Sequence, residues 1–281
     1  MRRGLTRAIA VEGIGLHSGA ACRVVLEPAG AGEGITFLRA DLPAPVPIPA
    51  RAEFAVPSAL CTTLAREGQQ VGTVEHALAA LAGIGVADAT LRVWGPELPA
   101  LDGSAAPWVA AIEAAGLRDL ERPGAIRSLC QAFTLRDGPR VARCRPCESL
   151  VLEVTIDFPH PLAQNQSMSL DLTPETFTRE IAWARTFSLE TEVPVLRARG
   201  LARGGSLQNA LVLAEGGGVL NPEGLRGPME PLRHKVLDLL GDLALIGTPV
   251  LARLVVEQPG HAFNLSLARA LIAATEPACP C

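Results

Sequence analysis

Arg233-His-Lys-Val-Leu-Asp-Leu-Leu-Gly-Asp242 is the stretch that organises the rest of the chain. His234, Asp238 and Asp242 fall at i, i+4 and i+8, so in a helix all three lie along one face. Val236, Leu237, Leu239 and Leu240 flank that face and can bury against a core. One imidazole and two carboxylates on an otherwise apolar helix are costly to bury unless they have partners. A divalent metal is the simplest partner. Imidazole and carboxylate are ordinary zinc ligands, and a catalytic zinc takes three protein ligands and leaves one position open. His234 and Asp238 supply two, and a third has to come from elsewhere. The spacing predicts a helix from about 230 to 245.

A second stretch offers that third ligand. In Val71-Gly-Thr-Val-Glu-His-Ala-Leu-Ala-Ala-Leu-Ala-Gly83, Thr73 reads as an N-cap, and Gly83 and Gly85 read as the stop. Glu75 and His76 then sit in the first turn, where unpaired backbone N–H groups favour a carboxylate. Adjacent helical residues point about 100° apart. His76 can therefore face a metal while Glu75 reaches a water beside it as general base. His261 follows Pro259-Gly260 at the end of a predicted strand, 250–257, and is expected to project from a loop. His17, among glycines, reads as a structural hydrogen-bonder.

Composition sets outer limits. The 281 residues are 48% hydrophobic and 19% charged, enough for one large domain or two ordinary ones. The net charge of -4, without a basic patch interleaved with aromatics, argues against nucleic acid as a partner. No apolar run of signal-peptide length follows the basic start, and none approaches the roughly 18 residues of a spanning helix. A soluble, cytoplasmic monomer is the expectation. Seven scattered cysteines do not form a disulfide framework, and Cys144-Arg-Pro-Cys147 is a lone CxxC without a second pair. There is no tyrosine to serve as an acid.

Strand and helix patterns appear twice. In the first half, strand 22–27, a β-prone run at 60–64, the Glu75 helix, strand 86–94 and a helix at 108–116 follow one another. After a linker at 117–127, strands 128–136 and 149–158, a helix at 174–185, strand 211–213, the His234 helix, strand 250–257 and a helix at 264–274 repeat the theme. We expect an α+β chain of two similar domains, 1–120 and 127–281.

Longer motifs give the chain a recognisable character. Gly13-Ile-Gly-Leu-His-Ser-Gly19, Thr73-Val-Glu-His76, Leu101-Asp-Gly-Ser-Ala-Ala-Pro107, Ala184-Arg-Thr-Phe187, Gly204-Gly-Ser206, Arg233-His-Lys-Val-Leu-Asp238 and Gly260-His261 occur in this order. The chain resembles the UDP-3-O-acyl-N-acetylglucosamine deacetylases of lipid A biosynthesis over about residues 5–274. The resemblance implies a zinc enzyme that removes the N-acetyl group of a UDP-3-O-acyl sugar. It implies two α+β domains packed as a β-α-α-β sandwich, each with a small insert. His76, His234 and Asp238 match the zinc ligands, a set that iron(II) also suits. Glu75 matches the general base, and His261 the cationic group that protonates the leaving amine. Asp242 matches its carboxylate partner, and Thr186 the hydroxyl that binds the oxyanion.

The substrate contacts implied are Lys235 and Arg140 for the diphosphate and Asp157 and Phe158 for the uracil. The second insert, about 188–206, implies an apolar passage for the acyl chain, with Val193, Leu196, Ala202, Leu207 and Val212 as lining. Arg203 stands where the family is usually apolar, and Glu190 and Glu192 make the insert more acidic. Gln208 replaces an aspartate, and Gln258-Pro259 replaces a common Lys-Ser pair. None of these touches the metal set. The alternatives are a paralogous zinc amidohydrolase acting on another N-acyl nucleotide sugar, and a silent zinc-stabilised binding protein; intact Glu75 and His261 argue against the second.

Overall fold

The computed structural model describes residues 2–120 and 125–278. The first half runs β1 (Arg2–Leu5), β2 (Ile9–Ile14), β3 (Ala21–Pro28), β4 (Ile35–Arg39), β5 (Ile48–Pro49), β6 (Ala55–Val56), β7 (Thr63–Arg66), β8 (Gln69–Val71), α1 (Glu75–Ile84), β9 (Val86–Trp94), α2 (Ala106–Ala115) and β10 (Leu117–Leu120). The second runs β11 (Ile126–Leu129), β12 (Phe133–Asp137), β13 (Arg140–Arg145), β14 (Leu150–Ile156), β15 (Gln166–Asp171), α3 (Pro174–Glu180), β16 (Phe187–Leu189), α4 (Val193–Ala198), β17 (Leu211–Leu213), α5 (Glu230–Leu243), β18 (Val250–Glu257), α6 (His261–Ala274) and β19 (Thr275–Ala278).

Two seven-stranded sheets share one topology among the described residues. Their orders are β10-β1-β9-β3-β2 and β19-β11-β18-β13-β12, with β4-β5 and β14-β15 completing them. The centre of each is an alternating strand, β9 or β18. Buried Val250, Ala252, Leu254 and Val256 in β18 show why its period of two makes a strand with one inward face. Each central strand has an antiparallel neighbour on one edge, β3 or β13. The other edge is shared in parallel, by β1 then β4 in the first sheet and by β11 then β14 in the second. A helix enters each central strand (α1, α5) and another follows it (α2, α6).

The helices form the layer between the sheets. α1 packs against α5, and α6 packs beside α5. All of α1 but Ala82 and all of α5 but Lys235 is buried, as expected of helices covered on every side. Gly241 allows the crossing: a Cβ there would lie 2.1 Å from the carbonyl oxygen of Glu75. Only a glycine permits the two backbones to meet so closely. Two small extras stand outside the sheets. One is the three-stranded β6-β7-β8; the other is the parallel pair β16-β17 with α4.

Several local expectations are corrected. The strand expected at 128–136 is two strands, β11 and β12, separated by residues 130–132. Most of the 117–127 linker is strand β10 and the start of β11, while Arg122-Pro-Gly124 lies outside the described residues. Cys144 sits in β13, buried, and burial pushes its thiol up to about 12. Cys147 is half-buried and unbonded, and Cys279 and Cys281 are not described. The helix expected at 174–185 ends at Glu180, where the chain turns to deliver Ala184 and Arg185. Gly83 does not stop α1; it lies inside the helix against the ring of Phe177, and left-handed Gly85 (φ 86°) caps the end.

Candidate active site

α1 and α5 meet where their polar residues are concentrated. Thr73 is not the N-cap of α1. It adopts a left-handed backbone (φ 53°) and its hydroxyl donates to Glu97 Oε2 at 2.7 Å, while Val74 takes the cap position. Buried Glu97 also accepts from the backbone N–H of Ser18 at 2.6 Å and of His17 at 3.1 Å. The ring nitrogens of His17 find no partner among the described residues, so its expected hydrogen-bonding role falls to its backbone instead.

His76, His234 and Asp238 are buried, and one ligand atom from each lies within 4.8 Å of the other two. Asp238 Oδ1 stands 3.2 Å from His234 Nε2 and 3.6 Å from His76 Nε2. Ligand bonds of about 2.0–2.1 Å in a tetrahedral site put donor atoms roughly 3.3 Å apart, so this spacing suits one small cation. Two further observations support the fit. Asp238 Oδ1 accepts no hydrogen bond from any described residue although it is buried. His234 Nδ1 lies 3.1 Å from the carbonyl oxygen of Ala184, which can only accept, so Nδ1 carries the proton and Nε2 is left as a donor to a metal. Burial holds His76 below its ordinary value, in the neutral form a ligand needs. Burial would raise Asp238, but His234 and Lys235 outweigh it and hold the carboxyl well below the usual range.

Beside this triad lie a carboxyl, Glu75, and an imidazole, His261. His261 Nε2 is 4.0 Å from Glu75 Oε1. Asp242 Oδ2 accepts from His261 Nδ1 at 2.9 Å and from Asn264 Nδ2 at 2.9 Å. Burial alone would lower His261; the adjacent Asp242 charge reverses this and pushes it up to about 10. Glu75 is pushed up to about 8 by burial, against the pull of His261. A divalent cation held by His76, His234 and Asp238 would add positive charge and favour its ionised form. Thr62 joins the two groups: its N–H donates to Glu75 Oε2 at 3.0 Å and its hydroxyl donates to Asp242 Oδ1. His261 does not project from a loop as expected. It is the first residue of α6, held by the helix it begins.

The chain is matched along nearly its whole length. The family model of the UDP-3-O-acyl N-acetylglycosamine deacetylases covers residues 2–273. The chain belongs to that family. A UDP-3-O-acyl-N-acetylglucosamine deacetylase of Myxococcus xanthus is 46% identical over 278 residues, covering 99% of this chain and 88% of the relative. Proteins of the same name from an Anaeromyxobacter species and from Anaeromyxobacter dehalogenans are each 45% identical, covering 99% and 97% of this chain and 90% and 87% of their own.

In this deacetylase-family chain the remaining expected residues have the following partners. Half-buried Thr186 donates its N–H to the Gly103 carbonyl at 2.8 Å, and a Cβ on Gly103 would lie 3.3 Å from the Thr186 methyl. Lys235 Nζ donates to Asp238 Oδ2 at 2.7 Å and lies 5.6 Å from the centre of the Phe187 ring. It is therefore tied to a metal-ligand candidate. Exposed Arg140 lies beside Gly260: a Cβ there would be 3.8 Å from its Nε. Asp157 accepts from the Asn165 N–H at 3.2 Å, and Phe158 meets Phe187 edge-on at 5.2 Å between centroids.

Val193 and Leu196 are half-buried on α4, Ala202 and Leu207 on the turns that follow, and Val212 is buried in β17. The main core takes Leu211 and Leu213, and Val212 alternates to the opposite face of that strand. Thr62, Asn264, Phe187 and the Ala184 carbonyl went unread in the sequence. Thr62 had shown only as part of the β-prone run at 60–64, and a backbone carbonyl leaves no residue-type signal at all.

Proposed function

We propose that the chain is a metal-dependent hydrolase that removes the N-acetyl group from a UDP-3-O-(3-hydroxyacyl)-N-acetylglucosamine. The products are acetate and the free 2-amino sugar, a step of lipid A biosynthesis. The observation that carries this reading is the convergence of three buried ligand atoms within 4.8 Å, with Glu75 and His261 on their flank. Family membership points the same way.

His76, His234 and Asp238 would hold the metal, taken here as zinc with iron(II) as the alternative the donors admit. When bound, it supplies Lewis-acid polarisation of the acetamide carbonyl and of water. Glu75 takes the proton of the attacking water, and the carbonyl carbon becomes tetrahedral. The Thr186 hydroxyl donates to the developing oxyanion, a contribution of about 3 kcal/mol for a well-placed donor. His261, charged and held by Asp242, donates its Nε2 proton to the amine nitrogen as the C–N bond breaks. The carbonyl re-forms as acetic acid, which gives its hydroxyl proton to the amine or to solvent and leaves as acetate, and Glu75 returns its proton to the histidine through water.

Lys235 and Arg140 are assigned to the diphosphate, Asp157 and Phe158 to the uracil, and the α4 insert to the acyl chain. Lys235 can serve as assigned only by turning from Asp238 when substrate and metal are bound. We read the two halves as two domains. Among the described residues no helix is long and apolar enough to cross a membrane, and a cytoplasmic monomer remains our reading. Mass-spectrometric detection of acetate release from the UDP-sugar, with acyl chains of several lengths, tests the proposal. No turnover on any chain by the zinc-loaded protein would overturn it in favour of another N-acyl substrate.

A further inference from the structure

Arg185 and Glu230 form an ion pair at the back of the metal-ligand cluster, with side chains only 1% and 0% exposed. Glu230 Oε1 accepts from Arg185 Nε at 2.7 Å and from the Arg185 backbone N–H at 3.1 Å. Its Oε2 accepts from Arg185 Nη2 at 3.1 Å and from the Arg226 N–H at 2.8 Å. The rest of the guanidinium is satisfied by Glu223 and by the Gly224 carbonyl at 2.8 Å. Every one of these groups lies outside the catalytic steps described above.

The position of the pair gives it a role. Glu230 lies in the first turn of α5, four residues before His234 and on the same face. Arg185 directly follows Ala184, whose carbonyl accepts the hydrogen bond from His234 Nδ1. The pair thus ties together the two ends of that one hydrogen bond, the helix bearing the imidazole and the loop bearing its acceptor. The stretch it fixes also continues into Thr186. A buried ion pair is a weak device for stability, since apolar replacements of similar volume often do as well. It is a strong device for fixing one geometry, because a bidentate fork has few alternatives.

We infer that Arg185 and Glu230 are positioning residues that set the Ala184 carbonyl so that His234 presents Nε2 to the metal. The inference rests on the reading of His76, His234 and Asp238 as ligands. Outer partners of metal-bound histidines typically change affinity 10–100-fold when altered. Glu230→Gln and Arg185→Lys should therefore weaken zinc binding about 10–100-fold in chelator competition, with the far-UV spectrum of the metal-free protein unchanged. Activity should recover towards wild type at saturating zinc while KM stays constant.

A second measurement needs no variant. In 15N-histidine NMR of the metal-free wild type, His234 should be the Nδ1–H tautomer; the Nε2–H tautomer would overturn the inference. So would folded variants with wild-type zinc affinity. A wild type that binds no zinc would instead refute the ligand set itself, so the two failures are distinguishable.

Discussion

α1 and α5 hold the same place in two sheets of the same topology, yet they do different work. Each enters a central strand, and each starts beside a left-handed residue, Thr73 (φ 53°) or Met229 (φ 55°). α1 carries its chemistry at the very start, Glu75 and His76, and is Ala/Leu-rich thereafter. α5 has an ion-paired carboxylate, Glu230, at its start and its candidate ligands one and two turns further in. The turns after the central strands differ too. Residues 258–260 link β18 straight to His261, whereas residues 95–105 wander past Asp102 before α2 begins at Ala106 with nothing ionisable in its first turn. A repeated frame provides equivalent positions, and the two halves occupy them unequally. The site is assembled from one short contribution by the first half and a longer one by the second.

The largest effect is expected where both halves share one ion. His76→Ala removes the ligand proposed for the first half, so zinc and acetate release should disappear together; elemental analysis of the purified variant checks the metal. Full activity without zinc would break the comparison at its base. Glu75→Ala is the sharper companion. Metal binding should persist while kcat falls about 10²–10⁴-fold, the usual contribution of a positioned acid or base. If the variant turns over normally, Glu75 is not the base.

The crossing of the halves is next in size. Gly241→Ala places a methyl 2.1 Å from the Glu75 carbonyl oxygen, which is backbone and cannot swing aside. Overpacking of this kind costs about 1–3 kcal/mol, and here it also displaces the base from the ligands. Gly83→Ala meets the ring of buried Phe177 at 2.3 Å, a side chain rather than backbone. Both should lower the melting temperature, but only Gly241→Ala should lower kcat strongly. Equal losses of kcat would mean that helix spacing does not govern the site.

Which parts of this were legible in the sequence follows from locality. The His234 stripe was readable because four-residue spacing is a local property of a helix. β9 and β18 were readable because alternation is local too, and β18 occupies the predicted 250–257. Thr62 was not readable, because its partner Asp242 lies 180 residues away and a threonine in a strand-like run predicts nothing about so distant a carboxylate. Thr73 looked like a helix cap because its type is right for one; the remote Glu97 carboxylate claims its hydroxyl instead. His261 was put in a loop, since a Pro-Gly pair reads as a turn and the helix that follows it starts without a capping side chain.

The smallest effect concerns the partner that holds His261, and its sign follows from the charge. His261 sits near 10 rather than 6.5 because Asp242 outweighs burial. In the proposed mechanism its proton goes to the leaving amine, so kcat/KM should fall only as pH rises towards that value. Asp242→Asn removes the charge and leaves the shape, and the alkaline limb should move down towards the ordinary histidine value. The same linkage acts on stability. A group whose folded pKa is raised contributes stability that is fully present below pH 6.5 and is lost as pH rises through about 10. Melting of the metal-free wild type should therefore decline across that window, and Asp242→Asn should flatten the decline. An unchanged alkaline limb in Asp242→Asn would transfer the tuning of His261 to its other neighbours, Glu75 and Asp238, which are divided between the two halves.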